Sequence, residues 1–261
     1  MNITIIGKGA FGLALGHILT TNQHLVTYYD KKDPANSLQF ALSQAEAIVI
    51  AVPSAALEEC ITELRPLYTN LPVIVATKGI TNLAVLSGLQ YSLLSGPGFA
   101  SDILAGGHVT FTVTSKLAAD LFTSPTTTIE DTNDTMGVAL CGTLKNVYAL
   151  GAGALELKPD TMEFDAYINN CAAEMGSILK NLHANPLTVD LSCGRGDLIL
   201  TCSGPQSRNY AYGQTRQPGA TVEGLTALTK LPLNITGVII TNIRNVILGG
   251  ADPTLLTRFT Q

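Results

Sequence analysis

The sequence predicts an α/β protein, a doubly wound N-terminal domain followed by a mainly α-helical C-terminal one. Three observations predict it. Short apolar strands alternate with helical segments through the first half of the chain. A glycine-rich turn follows the first strand. Beyond Asp131 the long periodic segments read as helices.

Residues 2–6, NITII, read as a buried strand, 11–21 as a helix, and 25–29, LVTYY, as the second strand. AIVIAV at 47–52 is the next strand; Pro53 ends it, and a helical segment runs on through Arg65. VIVAT at 73–77, SLLSG at 92–96 and VTFTVT at 109–114 continue the series. The later helices are expected at about 134–154, 163–183, 220–229 and 234–248. The boundary is expected near 131–134, giving domains 1–132 and 133–261.

With 46% hydrophobic and 13% charged residues, the 261-residue chain is rich in core and poor in surface charge. Scarce charge points to a surface partly covered by a second subunit, a homodimer through the helical domain. The net charge of −5, without a basic run, argues against nucleic acid as a partner. No stretch reaches the ~18 apolar residues of a membrane helix, so no membrane partner is expected. The apolar N-terminus lacks a basic leader, and glycines 7, 9, 12 and 16 interrupt it, so a signal peptide is not expected. The cysteines at 60, 141, 171, 193 and 202 form no C-x-x-C pair. Neither disulfides nor a metal are expected, and a reducing cytoplasm is the natural location.

Gly7-Lys8-Gly9-Ala10-Phe11-Gly12 fits G-x-G-x-x-G, between a predicted strand and a predicted helix. The first glycine permits the turn, the second lets backbone approach a pyrophosphate, and the third lets helix and strand pack. Gly7, Gly9, Ala10, Phe11 and Gly12 are therefore candidates to bind a dinucleotide in a Rossmann-like domain. A purely structural glycine turn is the alternative. Asp30 ends the second strand, about where an acid binds the adenosine ribose; it favours NAD by repelling a 2′-phosphate. Lys31 and Lys32 follow at once and could bind that phosphate, which leaves NADP open; Asp30 as a solvated turn residue is the plain alternative.

Lys145 is the single charged residue in GVALCGTLKNVYALGAG, residues 137–153, whose apolar positions recur at helical spacing. A buried ammonium is costly unless it is paired or neutralised, and such a lysine can exchange a proton with a substrate oxygen. The alternative is a lysine whose stem lies on the core while its head snorkels to water.

Ala76-Thr77-Lys78-Gly79 ends a strand on the edge where open α/β sheets bind ligands. With SGP-x-FA at 95–100, G-x-x-x-CG-x-LKNV, GDL-x-LTC and Ser207-Arg208-Asn209, the chain resembles the NAD(P)-dependent glycerol-3-phosphate dehydrogenases, especially the bacterial type. The resemblance runs from residue 1 to about 225, with the blocks in the family's order. It implies interconversion of glycerol 3-phosphate and dihydroxyacetone phosphate, a small phosphate substrate, with NAD(P), supplying phospholipid synthesis. It makes Lys145 the proton-transfer lysine, Lys78 a second active-site lysine beside substrate and cofactor, and Asp197 the substrate-site carboxylate. It places Ser207, Arg208 and Asn209 on the substrate phosphate, with Arg208 near the cofactor. Asn146, Gly96, Gly98 and Ala100 join the same site, and Glu223 resembles the ribose-side acid. Asp197 and Ser207 as helix caps remain alternatives; Cys141 reads as packing.

A related dehydrogenase of the 6-phosphogluconate or β-hydroxyacid type and a catalytically impaired NAD-binding protein are the competing readings. The chain is short for the family, with sequence missing after Asp30 and after about residue 155. Asn170 stands where relatives carry arginine, Arg195 where they carry a small or apolar residue, and Gly98 where Ser or Thr is common. Arg195 is expected to restore the cation lost at Asn170.

Overall fold

Strand β1 (Asn2–Ile6), then α1 (Ala10–Thr21), β2 (Leu25–Tyr29), α2 (Leu38–Leu42), β3 (Ala47–Ile50) and α3 (Leu57–Leu64) open the fold. They are followed by β4 (Val73–Val75), β5 (Tyr91–Ser95), α4 (Ala100–Leu104), β6 (Val109–Val113), α5 (Lys116–Phe122) and β7 (Thr127–Asp131). The computed structural model describes residues 1–33, 37–80, 82–217, 219–232 and 235–259. The seven strands form one sheet in the order β2-β1-β3-β4-β5-β6-β7. Every pair is parallel except β5 with β6.

β3 and β4 are buried at every residue, as parallel strands covered on both faces must be. β2 lies at the sheet's edge and is half-exposed. Because β1 pairs β2 on one side and β3 on the other, the winding reverses at β1. That reversal opens a crevice at the carboxyl ends of the strands, where dinucleotides bind in such sheets. Ile3, Ile5, Leu15, Val49, Ile74 and Phe111 form the core beneath it.

The strand series does not stop at 109–114 as the sequence suggested. β7, TTIED, adds a seventh strand, paired with β6. Its threonines and acids suit an edge strand with wet sides, and so hide it from a search for apolar runs.

The chain divides into two units: Met1–Lys78 with Asn82–Thr135, and Gly79–Thr81 with Met136–Gln261. The second is helical: α6 (Thr135–Ala154), α7 (Met162–Asn181), α8 (Asp197–Cys202), α9 (Arg208–Thr215), α10 (Glu223–Lys230) and α11 (Val238–Ile247). Asn234, within the range read as the last helix, lies outside the described residues; that helix begins at Val238. A π-helical turn at Ser192–Gly196 precedes α8. Neither that turn nor α8 and α9 were legible as periodic segments.

α6 is buried continuously from Gly137 to Gly153. It tolerates this because small residues admit neighbouring backbone: a Cβ on Gly153 would fall 2.0 Å from Tyr210 O. Thr143 on this helix donates from Oγ1 to Ile80 O at 2.9 Å, fixing the short segment after Lys78 into the helical unit. Glu174 on α7 accepts the Ile239 and Ile240 N–H groups at 2.7 and 3.0 Å, capping the start of α11, and the Tyr148 hydroxyl at 3.2 Å. Burial raises its carboxyl above the usual range, against those three donors.

Candidate active site

In the first unit the three motif glycines do different work. Gly7 sits at φ 108°, where L side chains are strained, and a Cβ there would press on Ala51 O at 2.8 Å. A Cβ on Gly12 would fall 1.9 Å from Gly7 O, so only glycine lets α1 start this close to the turn. A Cβ on Gly9 would meet nothing within 4 Å, so this glycine borders open space. Gly9 is the N-cap of α1 and supplies no side-chain cap. The first N–H groups of α1, from Ala10, Phe11 and Gly12, are thus left for an anion.

Asp30 ties this loop to the end of β2. Its carboxylate accepts Lys8 N–H at 3.2 Å and Lys32 N–H at 2.9 Å, bracing the turn. Lys31 points elsewhere: its ammonium is 2.6 Å from both Glu59 and Glu63. These two carboxylates raise its pKa, with hydrogen bonding to Glu59 the largest cause.

Lys78 follows β4 at the same carboxyl edge. Its Nζ lies 4.8 Å from the Phe11 ring centroid and 3.4 Å from Gly98 O, so three predicted site residues meet. Thr77 beside it is buried, and its Oγ1 has no hydrogen-bond partner, a polar atom that a ligand would satisfy. Gly96 has a packing reason to be glycine, since a Cβ would sit 2.4 Å from Thr110 O. At Gly98 a Cβ would come within 2.9 Å of Val109 Cγ2, which accounts for the hydroxyl residue being absent here. Ala100 is the first residue of α4.

In the second unit Lys145 and Asp197 form a buried ion pair, Nζ to Oδ2 2.5 Å, with side chains 2% and 0% exposed. The lysine does not snorkel. Nor does Asp197 cap α8; its carboxylate turns to the ammonium, with no hydrogen bond of regular geometry at Oδ2. Thr201, one helical turn on, accepts from Lys145 Nζ at 3.3 Å and donates to Asp197 O at 2.5 Å. Thr201 was missed from the sequence, although its i+4 spacing from Asp197 was the available signal. Burial pushes the neighbouring Cys202 thiol up, Lys145 opposing and Asp197 adding.

Asn146 and Asn209 are joined side by side. Asn209 Nδ2 donates to Asn146 Oδ1 at 2.9 Å, and Asn209 Oδ1 accepts Gly224 N–H at 2.8 Å. α6, α9 and α10 are pinned together there. Ser207 caps α9, its hydroxyl accepting Tyr210 N–H at 3.4 Å. Arg208 and Glu223, the first residues of α9 and α10, form an ion pair, with Arg208 74% exposed. Arg195 bonds Asn169 Oδ1, one residue from Asn170, while Asn170 returns its amide to Ala166 O at 2.7 Å.

Among the described residues no three His, Cys, Asp or Glu side chains gather to hold a metal, and no helix is long and apolar enough to cross a membrane. A glycine turn at the switch point of a mostly parallel sheet, with a helical unit carrying a buried lysine–carboxylate pair, fits the class of two-domain NAD(P)-dependent oxidoreductases. Residues 33–120 match the model of the NAD-dependent glycerol-3-phosphate dehydrogenase N-terminus, and 134–248 that of its C-terminus. The chain belongs to the NAD(P)-dependent glycerol-3-phosphate dehydrogenases. It is 30% identical over 275 residues to "Glycerol-3-phosphate dehydrogenase [NAD(P)+]" of Pseudomonas syringae pv. tomato, covering 88% of this chain and 79% of that one. The namesake from Acaryochloris marina is 29% identical over 260 residues, covering 92% and 83%. A solved glycerol-3-phosphate dehydrogenase from Coxiella burnetii shares the fold at TM-score 0.81 and 23% identity, over 98% of this chain and 97% of that one. The solved DsGPDH of Dunaliella salina gives 0.85 at 20% identity, over 99% of this chain and 60% of that one.

Proposed function

We propose that this chain interconverts glycerol 3-phosphate and dihydroxyacetone phosphate, with residues 1–132 binding NAD(P) and residues 133–261 binding substrate and carrying the catalytic lysine. The observation that carries the reading is the Lys145–Asp197 pair at 2.5 Å, between α6 and α8, both within the residues the C-terminal family model covers. A buried ion pair is a poor stabiliser compared with apolar residues of equal volume, so its presence calls for a role in chemistry.

The dinucleotide fits the loop at Gly7, Gly9 and Gly12: open space beside Gly9, an uncapped α1 and an unsatisfied Thr77 hydroxyl suit a pyrophosphate-bearing ligand. Ala10 and Phe11 present the helix N-terminus to it, Asp30 takes the ribose side, and Ala100, Arg208 and Glu223 complete the contacts the family assigns. When bound, the nicotinamide gives a hydride to C2 of the ketone or takes one from the alcohol. Lys145 gives its proton to the C2 oxygen in reduction and takes the hydroxyl proton in oxidation. Its ammonium is ion-paired with Asp197 and donates to Thr201, and three donors are more than these two oxygens take up, which leaves capacity for a substrate oxygen. Asp197 fixes the direction in which the ammonium points. A cation beside the developing alkoxide lowers the barrier, and the family resemblance names Lys78 as the second active-site lysine. By the family resemblance Arg208, with Asn209 and Ser207, holds the phosphate, because a guanidinium fork matches phosphate oxygens, and Asn146 belongs to the substrate site. The family resemblance adds Gly96 and Gly98 to the substrate-binding residues.

The same reading makes this a cytoplasmic homodimer supplying glycerol 3-phosphate for phospholipid synthesis; light scattering on the purified protein tests the dimer. Absorbance at the reduced-nicotinamide band, with dihydroxyacetone phosphate and NADH or NADPH, tests the reaction. Substrate-dependent oxidation is expected. No oxidation with either cofactor, despite NADH binding, would make the chain a catalytically impaired NAD-binding protein.

A further inference from the structure

We propose that Glu59 and Glu63 set the cofactor preference of this chain by holding Lys31 away from the position an adenosine 2′-phosphate would take. The proposal rests on the dinucleotide reading of the glycine loop.

Three lysines lie beside the ribose-side candidate Asp30: Lys8, whose N–H bonds its carboxylate, and Lys31 and Lys32 directly after it. Lys31 stands out by sequence as the natural phosphate ligand, one residue past the ribose-side acid. Its ammonium is instead gripped by two carboxylates, each at 2.6 Å, from Glu59 and Glu63. These lie four residues apart on α3, so one helix face presents both to a single cation. α3 follows β3, the strand beyond β1 from β2, which brings it to the carboxyl edge where the crevice opens.

Lys8 is paired as well, 3.7 Å from Asp33. Asp30 directs both carboxylate oxygens into this corner, on the N–H groups of Lys8 and Lys32. Asp30, Asp33, Glu59 and Glu63 thus stand against Lys8, Lys31 and Lys32, four acids to three cations. A phosphate carrying nearly two negative charges would have to displace two carboxylates from Lys31 and then lie beside them and Asp30. A ribose hydroxyl meets no such opposition, because it can donate to Asp30. The clamp selects NADH by withholding a cation, an element of repulsion in addition to the ribose-side acid.

Binding of NADH and NADPH to the whole protein, followed by nicotinamide fluorescence without substrate, tests this independently of turnover. The unaltered chain should bind NADH about tenfold or more tightly than NADPH at low salt. Glu59→Gln with Glu63→Gln should tighten NADPH by about tenfold and leave NADH within about twofold. Adding Lys31→Met should remove most of that gain, which separates release of Lys31 from the general loss of negative charge. Unchanged NADPH affinity in the double variant, or a full gain that survives Lys31→Met, would overturn the clamp while leaving the dinucleotide site intact. Failure of the unaltered chain to bind either nucleotide would overturn the site itself and the clamp with it.

Discussion

Replacing Asp197 by alanine strands the Lys145 ammonium in the core, and the structure sets how much that costs. The charges are 2.5 Å apart with side chains 2% and 0% exposed, and Thr201 Oγ1 at 3.3 Å is the other oxygen facing Nζ. At an effective dielectric of about 20 the gross attraction is about 7 kcal/mol. Much of that offsets the desolvation of both ions, so removing one partner from a buried pair destabilises by about 3–5 kcal/mol. The expected deficit of Asp197→Ala is therefore ~3–5 kcal/mol at pH 7. Urea unfolding of the variant and its parent at that pH measures it. Lys145→Met with Asp197→Leu, which removes both charges, should recover most of the loss. A deficit under about 1 kcal/mol at pH 7, or one that the charge-free double variant does not recover, would refute the reasoning.

Three further outcomes follow from the same geometry. Arg208→Ala should weaken substrate by about 1.5–3 kcal/mol, seen as a raised KM for dihydroxyacetone phosphate; an unchanged KM removes Arg208 from the phosphate site. Gly12→Ala puts a methyl 1.9 Å from Gly7 O and should cost about 1–3 kcal/mol in stability and disturb NADH binding, read by thermal melting and nucleotide titration. Burial raises the Glu174 carboxyl, so between the ordinary and the folded value the folded form holds a proton that the unfolded chain has released. Its contribution is fully present below the ordinary carboxylate pKa of 4.5 and is lost as pH rises through the folded value. Melting curves from pH 4 upward should show that slope in the parent and not in Glu174→Gln.

The fold was legible where one physical signal dominated. β1, β3 and β4 are apolar because both faces are covered, and α6 announces itself as a long apolar periodic run broken by one lysine. β7 was not legible, because an edge strand with threonine and acid side chains carries no apolar run. α8 and α9 were not, because six and eight residues are too few to show a period, and both follow irregular turns.

In the site, Lys145 could be singled out by the cost of burying a charge, and the glycine loop by its place between strand and helix. That Asp197 meets Lys145 across 52 positions of sequence is tertiary information, which motif order suggested and periodicity could not. Thr201 was recoverable from its spacing to Asp197. The Lys31 clamp was not, since its partners lie 28 and 32 residues away on a helix whose acids read as an ordinary solvated face. Ser207 shows the opposite limit: one residue fits both a helix cap and a phosphate contact, and its sequence position serves either.

The central claim is that Lys145 moves the proton at C2, and turnover set against cofactor binding in Lys145→Ala tests it most directly. Oxidation of NADH by dihydroxyacetone phosphate should fall by about 10²–10⁴-fold, with NADH affinity nearly unchanged. Turnover equal to that of the unaltered chain would contradict the account and leave the buried Lys145–Asp197 pair as a structural feature alone.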